Sequence, residues 1–438
     1  MRAFLIALVV IGLIALIAYF GFDVGKSENT SKTTTTTATS TTTSEAARRR
    51  AAERAGSGGA AVQDGPGSAS AEPTGAPGAA GIDPNDTSGQ LSLVRPFADT
   101  SPWNTSVLGQ PTDENSDTFM RLANQRVGLV EKGNAPPQPT TVTNRAGVFI
   151  NTNRWSIPIV TTAGGAETRL VCRQLPPYCG DGANVPSLPI PTNASPNPSY
   201  DGAFVVEDAG NGVAYAMWRA RRVGDVISYQ FLRKWTLNGS GYQVPNSVST
   251  IGSGLPSFAG VLLPEEIKAG RIEHALAIAL PGPARDKYVQ PASATDGVGP
   301  TTSIPEGARV RLKPGVRMPK LLPRTNIVAQ RAIMKALRTY GAIVVERSRV
   351  PSLYAKMNYD WTQPLKGANG RYLAPNGRLL PKLLNKRANA TPMLRGNEIQ
   401  GLHLSDFEVV EITGPTFTFP ALNSTEASTR SNSTGGTG

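Results

Sequence analysis

The spacing of apolar residues changes several times along this chain, and each change predicts a different element. Residues 3–22, "AFLIALVVIGLIALIAYFGF", carry no charge and no polar break. At 1.5 Å of rise per residue the run spans about 30 Å, one hydrocarbon core. Its exit carries Tyr19, Phe20 and Phe22 instead of the small residues of a cleavage site. The expectation is an uncleaved signal anchor over 1–22, amino end inside, with everything after it exported. Apolar periodicity then vanishes. Residues 23–90 hold a Thr/Ser tract, "TSKTTTTTATSTTTS", and a Gly/Ala/Pro run, which together predict a disordered stalk. Residues 421–438 predict a disordered tail.

Between them, 91–420 alternates and turns like a folded, extracytoplasmic β-rich domain. "TDENSDTFMRLANQRVG" spaces Phe119, Leu122 and Val127 for one helical face and stops at Gly128. "GAFVVEDAGNGVAYAMWRARRVGDVISYQFLRKWTLNGSGYQV" reads as a β-meander. Its strands, 203–207, 213–221, 226–235 and 242 onward, are cut by "DAGNG", "RVGD" and "NGSG" turns. A second helix opens at Thr325 or Asn326, carries a stripe of Ala329, Ile333, Ala336, Leu337 and Tyr340, and ends at Gly341. A buried strand, 342–346, comes directly after it, and 406–412 reads as the last strand. The predicted fold class is mainly β: an antiparallel β-sandwich or barrel with a few covering helices, after the transmembrane helix and stalk.

Composition sharpens this picture in two places. Among 438 residues the formal charge is +12, which favours anionic partners. For an exported chain the expected partners are the membrane, through the N-terminal helix, and an anionic polysaccharide or cell-wall polymer. Nucleic acid is not the expected partner. The two cysteines, Cys172 and Cys179 in "CRQLPPYC", read as a disulfide closing a small loop. The alternative, half of a zinc site, lacks a second Cys or His cluster.

Candidate chemistry centres on "RIEHALAIALP" and on the long segment C-terminal to it. Period two places His274 on one face with Leu276, Ile278 and Leu280, either as a satisfied core histidine or at the rim of a pocket. The stretch 283–312 has hardly any apolar period, and a loop of that length inside a domain is usually functional or disordered. It contributes Tyr288, Asp296, Glu306 and Arg309. His274 lies about 20 Å along the strand from the loop, so the loop would have to fold back to meet it. In the meander, Trp218, Arg219 and Arg221 suggest a surface where cations meet carboxylates and an indole stacks on sugar. Ordinary cation–π pairs are the alternative. His403, between Leu402 and Leu404, reads as exposed or edge-packed.

No GxSxG elbow, P-loop, HExxH or dinucleotide fingerprint occurs, so no cofactor and no metal are expected, a weak calcium signal in "DAGNG" or "DPNDTSG" aside. Two classes of function remain. One is a tethered domain that binds wall polymer. The other is a carbohydrate-active enzyme, in one of two forms. As a lyase it would use His274 or Tyr288 as base or acid, with Arg219 or Arg309 clamping a carboxylate. As a glycoside hydrolase it would use Asp296 and Glu306.

The segments "TSPWNTSV", "LPSFAGVLLPEEIKAGRIEHALAIALP", "SATDG", "SIPEGARVRL" and "AIMKALRTYGAIVVERS", in that order, resemble a group of exported bacterial proteins with uncharacterised β-rich domains. The resemblance implies an extracytoplasmic bacterial domain and carries no activity.

Overall fold

The helix Ile327–Thr339 begins where the sequence provides a cap: the Asn326 side chain accepts from the Val328 N–H at 2.9 Å. It ends before Gly341, whose φ of 68° is the left-handed conformation that a C-terminal stop requires. Ala329, Ile333, Ala336 and Leu337 are buried as the stripe predicts. The Ser116–Gln125 helix is rotated from its expected face: Met120 and Ala123 are buried, whereas Phe119 and Leu122 flank them half-buried.

These elements belong to a computed structural model that describes residues 93–419, except 133–134, 140–146, 154, 176–177, 324 and 368. The expected signal anchor, stalk and tail lie outside the described residues. Among the described residues no helix is long and apolar enough to cross a membrane.

A six-stranded sheet forms the centre, in the order Phe407–Val409, Arg309–Leu312, Ala342–Ser348, Leu276–Pro281, Ser352–Tyr354, Phe149–Asn151. Leu276–Pro281 is buried along its whole length, and alternation sorts its side chains between two cores. Leu276, Ile278 and Leu280, with Val344, pack against Ile333, Leu337 and Met120 of the helices. Ala275, Ala277, Ile343 and Val345 face Val205, Ala214, Ala216 and Trp235. The latter four come from a second sheet, ordered Phe231–Thr236, Val213–Trp218, Phe204–Asp208, Ile159–Thr161. The far side of that sheet, Phe204, Val206, Tyr215 and Met217, meets Leu170, Ile190, Ile227 and Tyr229 of a third. The order of the third sheet is Ser187–Ile190, Ala166–Cys172, Val226–Tyr229, Arg221–Val223. The stack is therefore helices, sheet, sheet, sheet.

The chain is β-rich with few helices, as expected, and the described residues form no closed barrel. The sheets are also mixed instead of antiparallel: four strand pairings run parallel, among them Leu276–Pro281 with Ala342–Ser348. The helix Ile327–Thr339 lies directly before one of these central strands, so helical cover and parallel pairing arise together.

The predicted meander is present in its first three strands but divided, and the fourth, from 242 onward, is loop and turn. Its long hairpin crosses from one sheet to the other at Arg219, where φ is 54° and the strand Val213–Trp218 stops. Arg221 then begins an edge strand of the third sheet. Cys172 and Cys179 form the expected disulfide beside this sheet. A bridge closing so short a loop contributes about 2–3 kcal/mol.

The beginning and end of the described chain are joined. Asp113 N–H donates to the Val409 carbonyl at 2.9 Å and Glu411 N–H to the Pro111 carbonyl at 2.9 Å. The Val409 N–H donates to Ser116 Oγ at 2.8 Å.

Candidate functional site

Three carboxylates from distant parts of the sequence meet at one place. Asp296 and Glu306 come from the long loop, and Glu346 from the strand Ala342–Ser348; one oxygen of each lies within 4.8 Å of the others. The loop is built for this. Thr295 Oγ1 accepts from the Gly297 N–H at 3.0 Å, turning the chain so that the Asp296 N–H reaches Glu306 Oε2 at 3.2 Å. Glu306 is anchored through its backbone: its carbonyl accepts from Val289 N–H, and Gly307 N–H donates to Val344, both at 2.9 Å. Gly307 has φ 90°, and a Cβ there would run into the Val289 carbonyl.

Glu346 arrives by a bulge. Pairing with Leu276–Pro281 jumps from Val344 to Glu346 opposite Ile278 and Ala279, leaving Val345 as an extra residue. Simple alternation would point Glu346 the same way as Val344, toward the helices. The bulge breaks that alternation, and Glu346 instead accepts from the Gly252 N–H at 3.0 Å.

Electrostatics separates the three acids. Glu306 is fully buried, and no donor reaches its Oε1 among the described residues. Burial, reinforced by the charges of Asp296 and Glu346 and a hydrogen bond with Asp296, pushes the Glu306 carboxyl well above the usual carboxylate range. It therefore retains its proton where exposed acids have lost theirs. Glu346 is half-buried, whereas the Asp296 side chain is only 8% exposed, although its backbone lies nearer the surface. Arg347 Nε lies 3.2 Å from Asp296 Oδ2 and offsets its charge. Tyr354 stands beside the group; burial, then the charges of Glu346, Asp296 and Asp201, push its phenol well above its ordinary value. It stays protonated and can donate.

Three oxygens this close could hold a hard divalent cation. Arg347 already supplies positive charge, and two of the carboxylates already accept backbone N–H groups. Both features suit a group that shares protons better than an all-oxygen cation cage.

Gly252 forms the floor of the site, and nothing in the sequence marks it. A Cβ at this position would stand 2.5 Å from Asp296 Cγ and 2.9 Å from Glu346 Oε1. Its φ lies outside the left-handed region, so alanine is tolerated by the backbone but not by the two carboxylates. Gly252→Ala is expected to spread Asp296 and Glu346 apart while lowering stability by no more than about 1–2 kcal/mol. Thermal unfolding beside a crystal structure of the variant checks this: a large fall in Tm with the two carboxylates unmoved would contradict it.

The other expected site residues are distributed elsewhere. His274 is only 2% exposed, and its Nε2 lies 2.7 Å from Glu266 Oε1 and Nδ1 2.9 Å from the Ala275 carbonyl. It belongs to the core reading. Tyr288 is fully buried; its ring stacks on Phe417 at 5.4 Å and its hydroxyl donates to Asn246 Oδ1 at 3.1 Å. Neither side chain joins the acids, although the Tyr288 backbone bridges to Glu306.

Arg309 clasps the N-terminal segment, donating to the carbonyls of Pro102, Thr105 and Tyr340. Burial lowers its pKa to about 10. Trp218 is 5% exposed, with its indole N–H 3.2 Å from Asp201 Oδ1, so it offers no open stacking face. Arg219 lies over the Tyr200 ring at 3.5 Å and near the Trp218 ring at 5.0 Å, the cation–π alternative. Arg221 is exposed on the neighbouring sheet. His403 is exposed, as expected. Asp208 of "DAGNG" accepts from Asn211 Nδ2 at 2.8 Å and shapes a turn, and "DPNDTSG" lies outside the described residues.

The chain matches no protein-family model, no curated protein and no solved structure.

Proposed function

We propose that this protein is a glycoside hydrolase acting outside the cytoplasm, with Asp296 and Glu346 as the reacting pair. The observation that carries the reading is the convergence of three carboxylates within 4.8 Å, one of them sealed and protonated. Hydrolysis of an acetal needs one ionised and one protonated carboxyl side by side, and neighbouring acids that cannot all ionise provide that combination. Carboxyls about 5–5.5 Å apart leave no room for a water between them and favour retention of configuration.

In this scheme the group starts with two protons, one on sealed Glu306 and one on Glu346. An Asp296 oxygen, its charge balanced by Arg347, bonds to the anomeric carbon. The glycosidic C–O bond breaks, and the leaving oxygen takes a proton from Glu346. Water then attacks the anomeric carbon, Glu346 takes a proton from it, and the bond to Asp296 breaks. Glu306 is a positioning residue: it holds a proton behind the pair and never touches sugar. Tyr354 can donate to the sugar or to the nucleophile.

The lyase alternative needs His274 or Tyr288 within reach of a substrate, and both are sealed in cores. The polymer-binding alternative loses its aromatic platform at Trp218 but keeps the positive charge, which supports an anionic glycan as substrate.

The test is the full chain in detergent micelles, assayed on neutral and uronate-containing polysaccharides, with product anomers followed by NMR. Expected are reducing ends of retained configuration, undiminished by EDTA. Absence of cleavage on every glycan would overturn the proposal, as would activity that disappears with EDTA and returns with calcium.

A further inference from the structure

Between Asp360 and Glu398 the chain carries seven Lys and Arg residues and no acid. The middle of this stretch also breaks the rule that large apolar side chains are covered: Leu379 is 40%, Leu383 90% and Leu384 53% exposed. Leu383 and Leu384 end the 3-10 turn Lys382–Leu384, and a second 3-10 turn, Arg387–Asn389, comes next. Arg378, Lys382, Lys386 and Arg387 surround the leucines, all exposed, and none forms a salt bridge among the described residues. The Arg387 charge reaches Asp360 at the border of the stretch.

The patch is held in shape from beneath. Tyr372 N–H donates to Asn385 Oδ1 at 2.8 Å, Arg371 donates to the Leu380 carbonyl, and Leu380 is buried. Leu383 therefore projects because the turn is fixed there.

From this arrangement we propose that residues 378–387 form a membrane-docking edge, with the leucines entering the interface of an anionic lipid bilayer and the four cations meeting its headgroups. Leucine side chains gain when they leave water for acyl chains, and Lys and Arg gain beside anionic headgroups. A hydrated anionic polymer rewards the cations alone, and an apolar protein groove rewards the leucines alone. A negatively charged lipid surface rewards both at once. The edge stands independently of the hydrolytic reading, because none of its residues belongs to the carboxylate group.

The experiment uses full-length Leu383→Cys, spin-labelled with the native disulfide intact, and vesicles of phosphatidylcholine with or without phosphatidylglycerol. With phosphatidylglycerol the label is expected to lose mobility and become accessible to dissolved oxygen. In phosphatidylcholine alone, where the apolar N-terminal run can still associate, the label stays in water. Adding Lys382→Ala, Lys386→Ala and Arg387→Ala is expected to weaken the anionic-lipid response on the order of 10–100-fold in the lipid concentration required. A label equally buried in both lipids, or in water in both, would overturn the proposal. So would equal immobilisation by a soluble anionic polysaccharide or an acidic protein in the absence of vesicles.

Discussion

Asp296→Asn and Glu346→Gln are each expected to lower glycan cleavage by at least about a thousandfold while the protein stays folded. Removing a nucleophile or a proton donor commonly costs that much, and the two act as one unit, so the double variant should be scarcely worse than either single. Both substitutions keep shape and can still accept the backbone and guanidinium hydrogen bonds that hold the site. Glu306→Gln should behave differently. The neutral amide imitates the protonated acid that burial already enforces, so kcat falls far less and the change appears mainly on the alkaline side of the pH profile, where Glu306 would otherwise ionise. Stability follows the same sign. A carboxyl whose folded pKa is raised stabilises fully below its unfolded value near 4.5, and that contribution is lost as pH rises through the folded pKa. Glu306→Gln should therefore unfold at a higher temperature than the parent at alkaline pH. Initial rates and Tm measured across pH for the parent and the four variants decide this; full activity in Asp296→Asn would end the case for it as nucleophile.

The second large effect concerns the buried pair. Glu266 Oε2 accepts from the Leu263 N–H at 2.9 Å, capping the helix Pro264–Ala269, and Oε1 meets His274 Nε2. Both ring nitrogens of His274 face oxygen acceptors, an arrangement that suits imidazolium. Burial opposes that charge, but the Glu266 charge and hydrogen bond, together with the Ala275 carbonyl, outweigh it, and the His274 pKa is raised. Breaking such a pair from one side costs about 3–5 kcal/mol. Glu266→Gln is expected to lower Tm by about 5–10 °C in a domain of this size. The pH dependence has a definite sign: the pair's contribution is fully present below about pH 6.5, the unfolded histidine value, and declines as pH rises through the raised folded value. The deficit of Glu266→Gln against the parent should thus be largest in mild acid and shrink in alkali. Thermal unfolding from acid to alkaline pH checks this, and a deficit that grows with pH would show that His274 is neutral in the fold.

Much of the scaffold is legible in residue spacing because the forces that set it are local. Asn326, the Ala329–Leu337 stripe and Gly341 specify a helix by themselves, and the "DAGNG" turn specifies a hairpin. Asp296 and Glu306 are also visible, as acids in a long loop with no apolar period. Glu346 is not, since alternation gives a face only while pairing is regular, and the bulge at Val345 is a property of two strands together. Gly252 is invisible for a related reason: its importance lies in a contact made across the fold. Spacing places His274 among bulky core residues but cannot reveal Glu266, which reaches it from a helix eight residues earlier. Trp218 and Arg219 mislead because Arg219 is itself left-handed and ends their strand before the supposed partner Arg221.

The ladder that ties Pro111, Asp113 and Ser116 to Val409 and Glu411 carries a consequence for biogenesis. A polypeptide emerging amino end first presents its opening segment long before the residues that latch onto it exist. Pairing must wait until Val409 and Glu411 have been made, so the segment 111–116 spends the synthesis of everything between with an unmatched edge, open to chaperones and proteases.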